Sequence, residues 1–236
     1  SQNVIDAQGL SIYPGFIDSH SHFHNLGYLK NQLDLTSTKS LSDVIDAAKK
    51  YDSERKPDFI IGRGWDQNDW VNKSFPTNTE LNKNFPDKPV ILRRIDGHAY
   101  LVNDAALKLA NITSSSKIEG GEFLKRRGRL TGVLIDNAMR LIDDIIPEPS
   151  IEETVSALLA AQEASFENGL TTVSDAGISK KQIMLIDSLQ KQGILDIRIY
   201  AMISNNEEDV DYVVSIIGNC NHIVFLLKSF CIWTVF

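Results

Sequence analysis

The strongest constraint on the fold is an alternation of predicted helices and strands over residues 150–203. Apolar residues at helical spacing fill 151–166, and the β-branched run 170–174 follows. A second helix is predicted over 179–192 and a second strand over 196–203. Strands and helices that alternate at this spacing form parallel βα units. The alternation therefore predicts an α/β fold and, with polar residues at the strand ends, part of a (β/α) barrel.

The segment from about residue 63 to residue 149 lacks this regularity. It contains a short apolar run at 89–94 and a predicted hairpin with strands at 122–124 and 131–134. We interpret the whole segment as an insertion on a regular scaffold. The basic residues 125–129 in the predicted hairpin turn are interpreted as solvated surface.

Composition excludes several classes of protein. The net charge is −7, with 24 Lys and Arg against 31 Asp and Glu, which argues against a nucleic-acid partner. No apolar run reaches the roughly 18 residues of a membrane span, so no membrane partner is expected. The two cysteines, Cys220 and Cys231, exclude a Cys-rich zinc site and fit a reducing, cytoplasmic compartment. The oligomeric state stays open, with a homo-oligomer as one alternative.

The residues best suited to bind a metal are concentrated in the run Asp18-Ser19-His20-Ser21-His22-Phe23-His24. On an extended backbone residues i and i+2 point the same way, so His20 and His22 present two imidazoles to one point. Asp18 and His24 are expected to continue that row in a supporting role. Two neutral imidazoles form half of a Zn, Fe or Mn site, and His or carboxylate ligands complete it. The alternative is a surface turn, but three of the five histidines alternate here, which favours a metal site.

Other candidate residues have more than one interpretation. Asp96 and His98 are candidate substrate-binding residues. His98 alternatively orients a metal ligand, or it is a structural histidine that is hydrogen-bonded within the insertion. Trp65 and Asp66 either line a substrate pocket or belong to the core. Asp175 ends a predicted strand, where a role as a helix cap or as a support of the metal ligands is favoured over a catalytic role. No catalytic residue is assigned from the sequence.

Several segments resemble one family of enzymes. The run 14–22 (PGFIDSHSH) resembles the segment that opens the first barrel strand in the amidohydrolase superfamily. A narrower branch, the YtcJ-like or amidohydrolase 3 family of metal-dependent hydrolases, has segments similar to 64–70 (GWDQNDW), 94–99 (RIDGHA), 131–138 (TGVLIDNA) and 169–177 (GLTTVSDAG). The similarities occur in the family's order, from residue 4 to about residue 203.

The resemblance implies a partial metal-dependent-hydrolase (β/α)8 TIM barrel with a large insertion and a remnant of the N-terminal β-sandwich. It implies hydrolysis of a non-peptide C–N bond, in an amide, cyclic amide or N-formyl group, by metal-activated water. The expected substrate is a small amide-type molecule. The expected cofactor is a divalent metal, zinc by preference, with one or two ions in the complete family site. His20 and His22 are the expected metal ligands.

The resemblance also implies a domain division. Residues 1–14 are expected to end the β-sandwich and link it to the barrel. Residues 15–236 are expected to form the N-terminal part of the barrel, with the insertion at about 63–149 and an atypical tail at about 214–236. The complete family site also uses a carboxylated Lys or a Glu, two further His and an Asp. The chain is therefore expected to be a truncated copy that lacks the distal metal ligands and the catalytic Asp.

Alternatives remain at this point. The tail is either the product of a reading-frame slip or a genuine hydrophobic C-terminus. In the second case Lys228 is a candidate for the metal-site lysine, although its surroundings match the family poorly. The whole chain is either part of a hydrolase or an inactive fragment that only binds a metal or a partner. A metal carrier that uses the His20–His24 run alone is disfavoured, because it leaves the other family-like segments unexplained.

Overall fold

The computed structural model describes residues 6, 8–204, 225–228 and 230–231 and shows a mixed α/β fold. The described strands are β1 (Phe16–Asp18), β2 (Leu33–Asp34), β3 (Ile60–Trp65), β4 (Val90–Arg94), β5 (Ala99–Val102), β6 (Gly121–Arg126), β7 (Arg129–Asp136), β8 (Leu170–Ile178), β9 (Arg198–Ile203), β10 (Phe225–Lys228) and β11 (Phe230–Cys231). The described helices are α1 (Phe23–Asn31), α2 (Leu41–Arg55), α3 (Thr79–Asn84), α4 (Asp104–Leu109), α5 (Arg140–Asp143), α6 (Ile151–Glu167) and α7 (Lys180–Lys191), with 3-10 turns at Gln67–Asp69 and Asn137–Met139.

The chain divides into two compact units. Unit 1 contains the described residues up to Tyr28 and those from Ile151 onward, and unit 2 is Leu29–Ser150. Unit 2 thus takes in the expected insertion of 63–149 together with the residues that precede it from 29. Of the predicted sandwich remnant, residues 1–5 and 7 lie outside the described residues. The same is true of the predicted tail, apart from β10 and β11.

Unit 1 is built on a sheet with the strand order β1-β8-β9-β10-β11. The first four strands run parallel, and β11 returns antiparallel to β10. The predicted strand at 170–174 is confirmed, although β8 continues to Ile178. The predicted helix at 179–192 corresponds to α7, whose start is fixed by a capping box between Ser179 and Gln182. Phe23, Leu158 and Val173 belong to the apolar cluster of this unit.

Unit 2 contains a six-stranded sheet with the order β2-β3-β4-β5-β7-β6. Strands β2, β3 and β4 are parallel, and the rest pair antiparallel, including the predicted β6–β7 hairpin, which is confirmed. The segment 63–149, which has no clear periodicity in sequence, therefore supplies most of a regular sheet. All four residues of β5 are buried, because apolar clusters involving Leu101 and Val102 line both faces of the strand. A strand buried on both faces has no polar alternation to reveal it.

Helix α1 packs closely on α6 at one glycine. A Cβ atom on Gly27 would overlap the backbone carbonyl oxygen of Ala157. Glycine is therefore required here for its lack of a side chain. Across the described residues, no helix is both long enough and apolar enough to span a bilayer.

Candidate metal centre

The turn after β1 is held against the end of β8 by hydrogen bonds. The Oδ1 atom of Asp18 accepts the backbone N–H of His20 at 3.1 Å. The Ser21 backbone N–H donates to Ser174 Oγ at 2.9 Å, and the Ser21 hydroxyl donates to the Ser174 carbonyl. The Ser21 carbonyl accepts the N–H of Ala176 at 3.0 Å. These bonds fix the backbone on both sides of His20 and His22.

The imidazoles of His20 and His22 lie side by side and are exposed. Their ring centroids are 6.0 Å apart and their planes are inclined at 77°. A zinc ion lies about 2.1 Å from each imidazole nitrogen that it binds, so two neighbouring rings are the first requirement of a shared site. The structure therefore brings the two predicted metal ligands together.

A backbone carbonyl determines which ring nitrogen of neutral His22 carries the proton. The Nδ1 atom of His22 lies 2.9 Å from the carbonyl oxygen of Ala176. A carbonyl oxygen only accepts, so the contact requires a proton on Nδ1 and leaves the lone pair of the neutral ring on Nε2. Histidine ligands of metals are commonly oriented in this way, by donating their other N–H to a carbonyl.

His24 does not continue the row of imidazoles, contrary to the sequence-based expectation. The backbone turns helical at Phe23, where α1 begins, and the i, i+2 alternation holds only on an extended chain. His24 is buried, with Gln182 Nε2 3.1 and 3.2 Å from its ring nitrogens and Tyr28 packed edge-on at 4.7 Å. Burial lowers the pKa of His24, so the ring is held neutral near pH 7.

Asp175 caps helix α1 from the neighbouring strand. Its side chain is buried on β8, and Oδ2 accepts the backbone N–H of His24 in the first helical turn at 3.0 Å. Burial raises the pKa of Asp175 to about 6, although the hydrogen bond from the His24 backbone N–H acts in the opposite direction. The capping interpretation of Asp175 is thus supported by a direct contact, and the cap fixes the first turn of α1, two residues after His22.

The donor set fits half of a metal site. In the part of the chain that the structure describes, no three His, Cys, Asp or Glu residues lie close enough together to hold an ion. His20 and His22 supply two imidazole nitrogens, whereas zinc centres use three or four protein ligands. Lys228, the alternative metal-site lysine, is the last residue of β10, and its role stays a prediction.

The predicted substrate residues Trp65 and Asp66 belong to unit 2. Trp65 is fully buried, packs against Trp70 at 5.9 Å, and donates its indole N–H to the Leu92 carbonyl at 2.8 Å. Asp66 caps the following 3-10 turn by accepting the N–H of Asn68 at 2.9 Å. Both contacts are structural, and a substrate contact by either residue stays a prediction.

Asp96 and His98, also in unit 2, lie in a tightly bonded turn. Asp96 accepts the His98 backbone N–H at 3.1 Å, and its other oxygen lies 2.9 Å from a guanidinium nitrogen of Arg94. The His98 ring, 73% exposed, places Nδ1 2.9 Å from Oδ1 of Asp136. Sequence reasoning did not select Asp136. The signal in the sequence was its position directly after the run 131–135, which forms part of β7. In the structure the neighbouring residue Ile135 is paired with Ala99 of β5.

Comparison with known proteins identifies the relatives of this chain. Residues 3–215 match the model of a family described as "Amidohydrolase family". The chain is 38% identical over 170 residues to "Putative amidohydrolase YtcJ" of Bacillus subtilis, covering 71% of this chain and 32% of that protein. It is 26% identical over 191 residues to "N-substituted formamide deformylase" of Arthrobacter pascens, covering 77% of this chain and 35% of that protein.

A solved structure agrees with these sequence matches. The fold is similar to that of an uncharacterized metal-dependent hydrolase from Pyrococcus horikoshii OT3, with a TM-score of 0.65 and 30% sequence identity. The similarity covers 86% of this chain and 38% of that protein. The chain spans about a third of the length of the two curated relatives described above. Since the family model matches most of its length, the chain belongs to the amidohydrolase family.

Proposed function

We propose that the protein is part of a metal-dependent hydrolase in which His20 and His22 hold a divalent ion, with zinc as the expected metal. The observation that carries this proposal is the contact from His22 Nδ1 to the Ala176 carbonyl, which leaves Nε2 free for an ion. His20 lies alongside at a centroid distance of 6.0 Å.

We infer that β1, β8, β9 and β10 are consecutive strands of a partial (β/α)8 TIM barrel, with unit 2 inserted between the first two. The parallel order of the strands supports this inference, as does the position of His20 and His22 just after the C-terminal end of β1. Phe16 and Ile17 on β1 are 58% and 69% exposed, and β1 pairs only with β8 in the described residues. An apolar edge strand of this kind suits a sheet that continues beyond β1.

The proposed reaction is hydrolysis of a non-peptide C–N bond. A bound divalent ion would lower the pKa of a coordinated water molecule and polarise the substrate carbonyl. The family and the relative named as an N-substituted formamide deformylase support this bond type. The residues of this chain would hold the ion through His20 and His22. The Ala176 carbonyl would orient one ligand, and Asp175 would fix the helix that follows it.

Metal binding by the full chain tests the proposal. The protein is stripped with a chelator and titrated with Zn²⁺ by calorimetry, beside a His20→Ala/His22→Ala variant and a His98→Ala control. His98 is exposed and is not one of the proposed ligands, so the control takes away one surface imidazole and keeps His20 and His22. We expect about one equivalent of zinc in the wild type and the control, and a large loss in the double variant. Equal binding by all three proteins would contradict the proposed ligands.

Turnover separates the active and inactive alternatives. The zinc-loaded chain is incubated with an N-substituted formamide, and release of formate is measured. Formate release that depends on His20 and His22 supports the hydrolase. Bound zinc without formate release favours the fragment that binds a metal only.

A further inference from the structure

The turn of the β6–β7 hairpin carries an uncompensated positive charge. Lys125, Arg126, Arg127 and Arg129 are all exposed, in a chain of net charge −7. None of these four side chains has an ion-pair or hydrogen-bond partner among the described residues. Four cations within five residues repel one another, so an anion bound between them is favoured.

The hairpin arginines line a large cavity within unit 2. The cavity has a volume of about 1160 Å³ and is lined by Arg126, Arg127 and Arg129 together with Thr77 and Asn82. Guanidinium groups bind oxyanions through paired N–H donors, and the hydroxyl and amide groups add further donors. Asp104 also lines the cavity, where its Oδ1 accepts a hydrogen bond from Asn78 Nδ2 at 2.8 Å. Its one negative charge is outnumbered by the three guanidinium charges, so the wall keeps an excess of positive charge.

A second cavity adjoins the first at Arg126. It has a volume of about 790 Å³ and shares Thr77, Arg126 and Thr131 with its neighbour. Its wall includes Trp70, Val71 and Phe75, and the Val71 side chain is fully exposed. The indole nitrogen of Trp70 is buried without a hydrogen-bond partner among the described residues. An apolar wall beside a cationic one suits a ligand that has an apolar part and an anionic part.

We propose that these two cavities, the hairpin site, bind a small organic phosphate with an apolar body. The phosphate lies among Arg126, Arg127 and Arg129, and the apolar body lies against Val71 and Phe75. A phosphate is favoured over a carboxylate because it carries nearly two negative charges at neutral pH and three acceptor oxygens for the three guanidinium groups. The site lies wholly within unit 2, so it does not depend on the proposed metal centre.

Phenyl phosphate, inorganic phosphate, benzoate and phenol serve as probes in calorimetric titrations of the full chain at low salt. We expect phenyl phosphate to bind at least about tenfold more tightly than inorganic phosphate or phenol, since it uses both cavities. Benzoate, with one charge, is expected to bind more weakly than phenyl phosphate. Binding should weaken as salt is added. The absence of saturable phenyl phosphate binding by the wild type would overturn the proposal.

Two triple variants with the same loss of charge locate the site. Arg126→Ala/Arg127→Ala/Arg129→Ala removes the proposed ligands, whereas Lys49→Ala/Lys50→Ala/Arg55→Ala removes three exposed cations from α2. We expect the hairpin variant to lose phenyl phosphate affinity by more than about tenfold, and the α2 variant to lose little. Equal losses in both variants would show a general charge effect and overturn the proposed site. Circular dichroism checks that both variants fold.

A further variant tests the apolar wall of the hairpin site. Val71→Ser changes a fully exposed side chain, so folding is preserved. We expect this variant to weaken phenyl phosphate binding by a few-fold and to leave inorganic phosphate binding unchanged. An unchanged phenyl phosphate affinity would overturn the assignment of the apolar body to this wall.

Discussion

At the scale of single residues, the candidate metal centre depends on the protonation of one ring nitrogen. The Ala176 carbonyl accepts from His22 Nδ1, and this contact requires one tautomer of the neutral ring. We expect imidazole ¹⁵N correlation spectra of the metal-free protein to show His22 protonated at Nδ1 and unprotonated at Nε2. The mainly Nε2-protonated form, which free histidine prefers, would contradict the contact.

Asp136 adopts a backbone conformation that suits glycine. Its φ is 48° and its ψ is −121°, as at the first central position of a type II′ turn. Cβ atoms are strained there, and strain of this kind tends to occur at functional sites. The strain coincides with the contact between Asp136 and the exposed His98 ring.

Two substitutions separate the strain at Asp136 from its contact. Asp136→Gly and Asp136→Ala both remove the carboxylate from His98, but only glycine relieves the backbone. We expect the Gly variant to be more stable than the Ala variant by about 1 kcal/mol, measured by urea unfolding. An Ala variant as stable as the Gly variant would show that the backbone relaxes at this position.

The sequence identified some residues of the candidate site and not others, for a physical reason. His20 and His22 were found because they alternate on one short stretch of chain. Ala176 and Asp136 were missed because each acts through a partner that is distant in sequence, by a backbone carbonyl in one case and a strand pairing in the other. His24 was misplaced because the start of α1 at Phe23 ended the alternation one residue earlier.

At the scale of elements, the packing of α1 on α6 depends on a missing side chain. We expect Gly27→Ala to destabilise unit 1 by at least about 1 kcal/mol, even though alanine is the better helix former by about the same amount. The added methyl group would overlap the Ala157 carbonyl, so the helices must separate. Thermal unfolding followed by circular dichroism measures the change.

Asn25→Ala is the matched control for this prediction. Asn25 is exposed on the same helix, and the substitution brings the helical preference of alanine without the overlap. We expect stability to change by less than about 0.5 kcal/mol, in either direction. A Gly27→Ala variant that matches this control would show that α1 and α6 are less closely packed than described.

Elements were predictable where local signals agreed with the fold. Strand β8 is rich in β-branched residues, and α7 begins with Ser179 three residues before Gln182. The six-stranded sheet of unit 2 was predictable only in parts, since β4 and β5 are largely buried on both faces and carry little polar alternation. The mixed order of its strands depends on pairing between segments that are distant in sequence, and the local sequence does not indicate which segments pair.

At the scale of the whole molecule, each unit has its own apolar core. Leu158 lies in the cluster of unit 1 and Leu101 in a cluster of unit 2, and both side chains are fully buried. We expect Leu158→Ala and Leu101→Ala each to cost about 2–5 kcal/mol in its own unit. Hydrogen exchange should quicken in β8 for the first variant and in β4 for the second. Faster exchange in the other unit instead would contradict the assignment of the two cores.

Unit 1 is assembled from two stretches of chain, and this has a consequence for how the protein is made. Ser21 and its partner Ser174 are 153 residues apart. Ribosomes add about 5–20 residues per second, so β1 is synthesised roughly 8–30 seconds before the strand that it pairs with. Through that interval the backbone of β1 has no partner strand, which makes the nascent chain a target for chaperones and proteases until β8 emerges. Slower translation lengthens the exposure, so the yield of folded protein is expected to depend on the speed at which residues 29–150 are made.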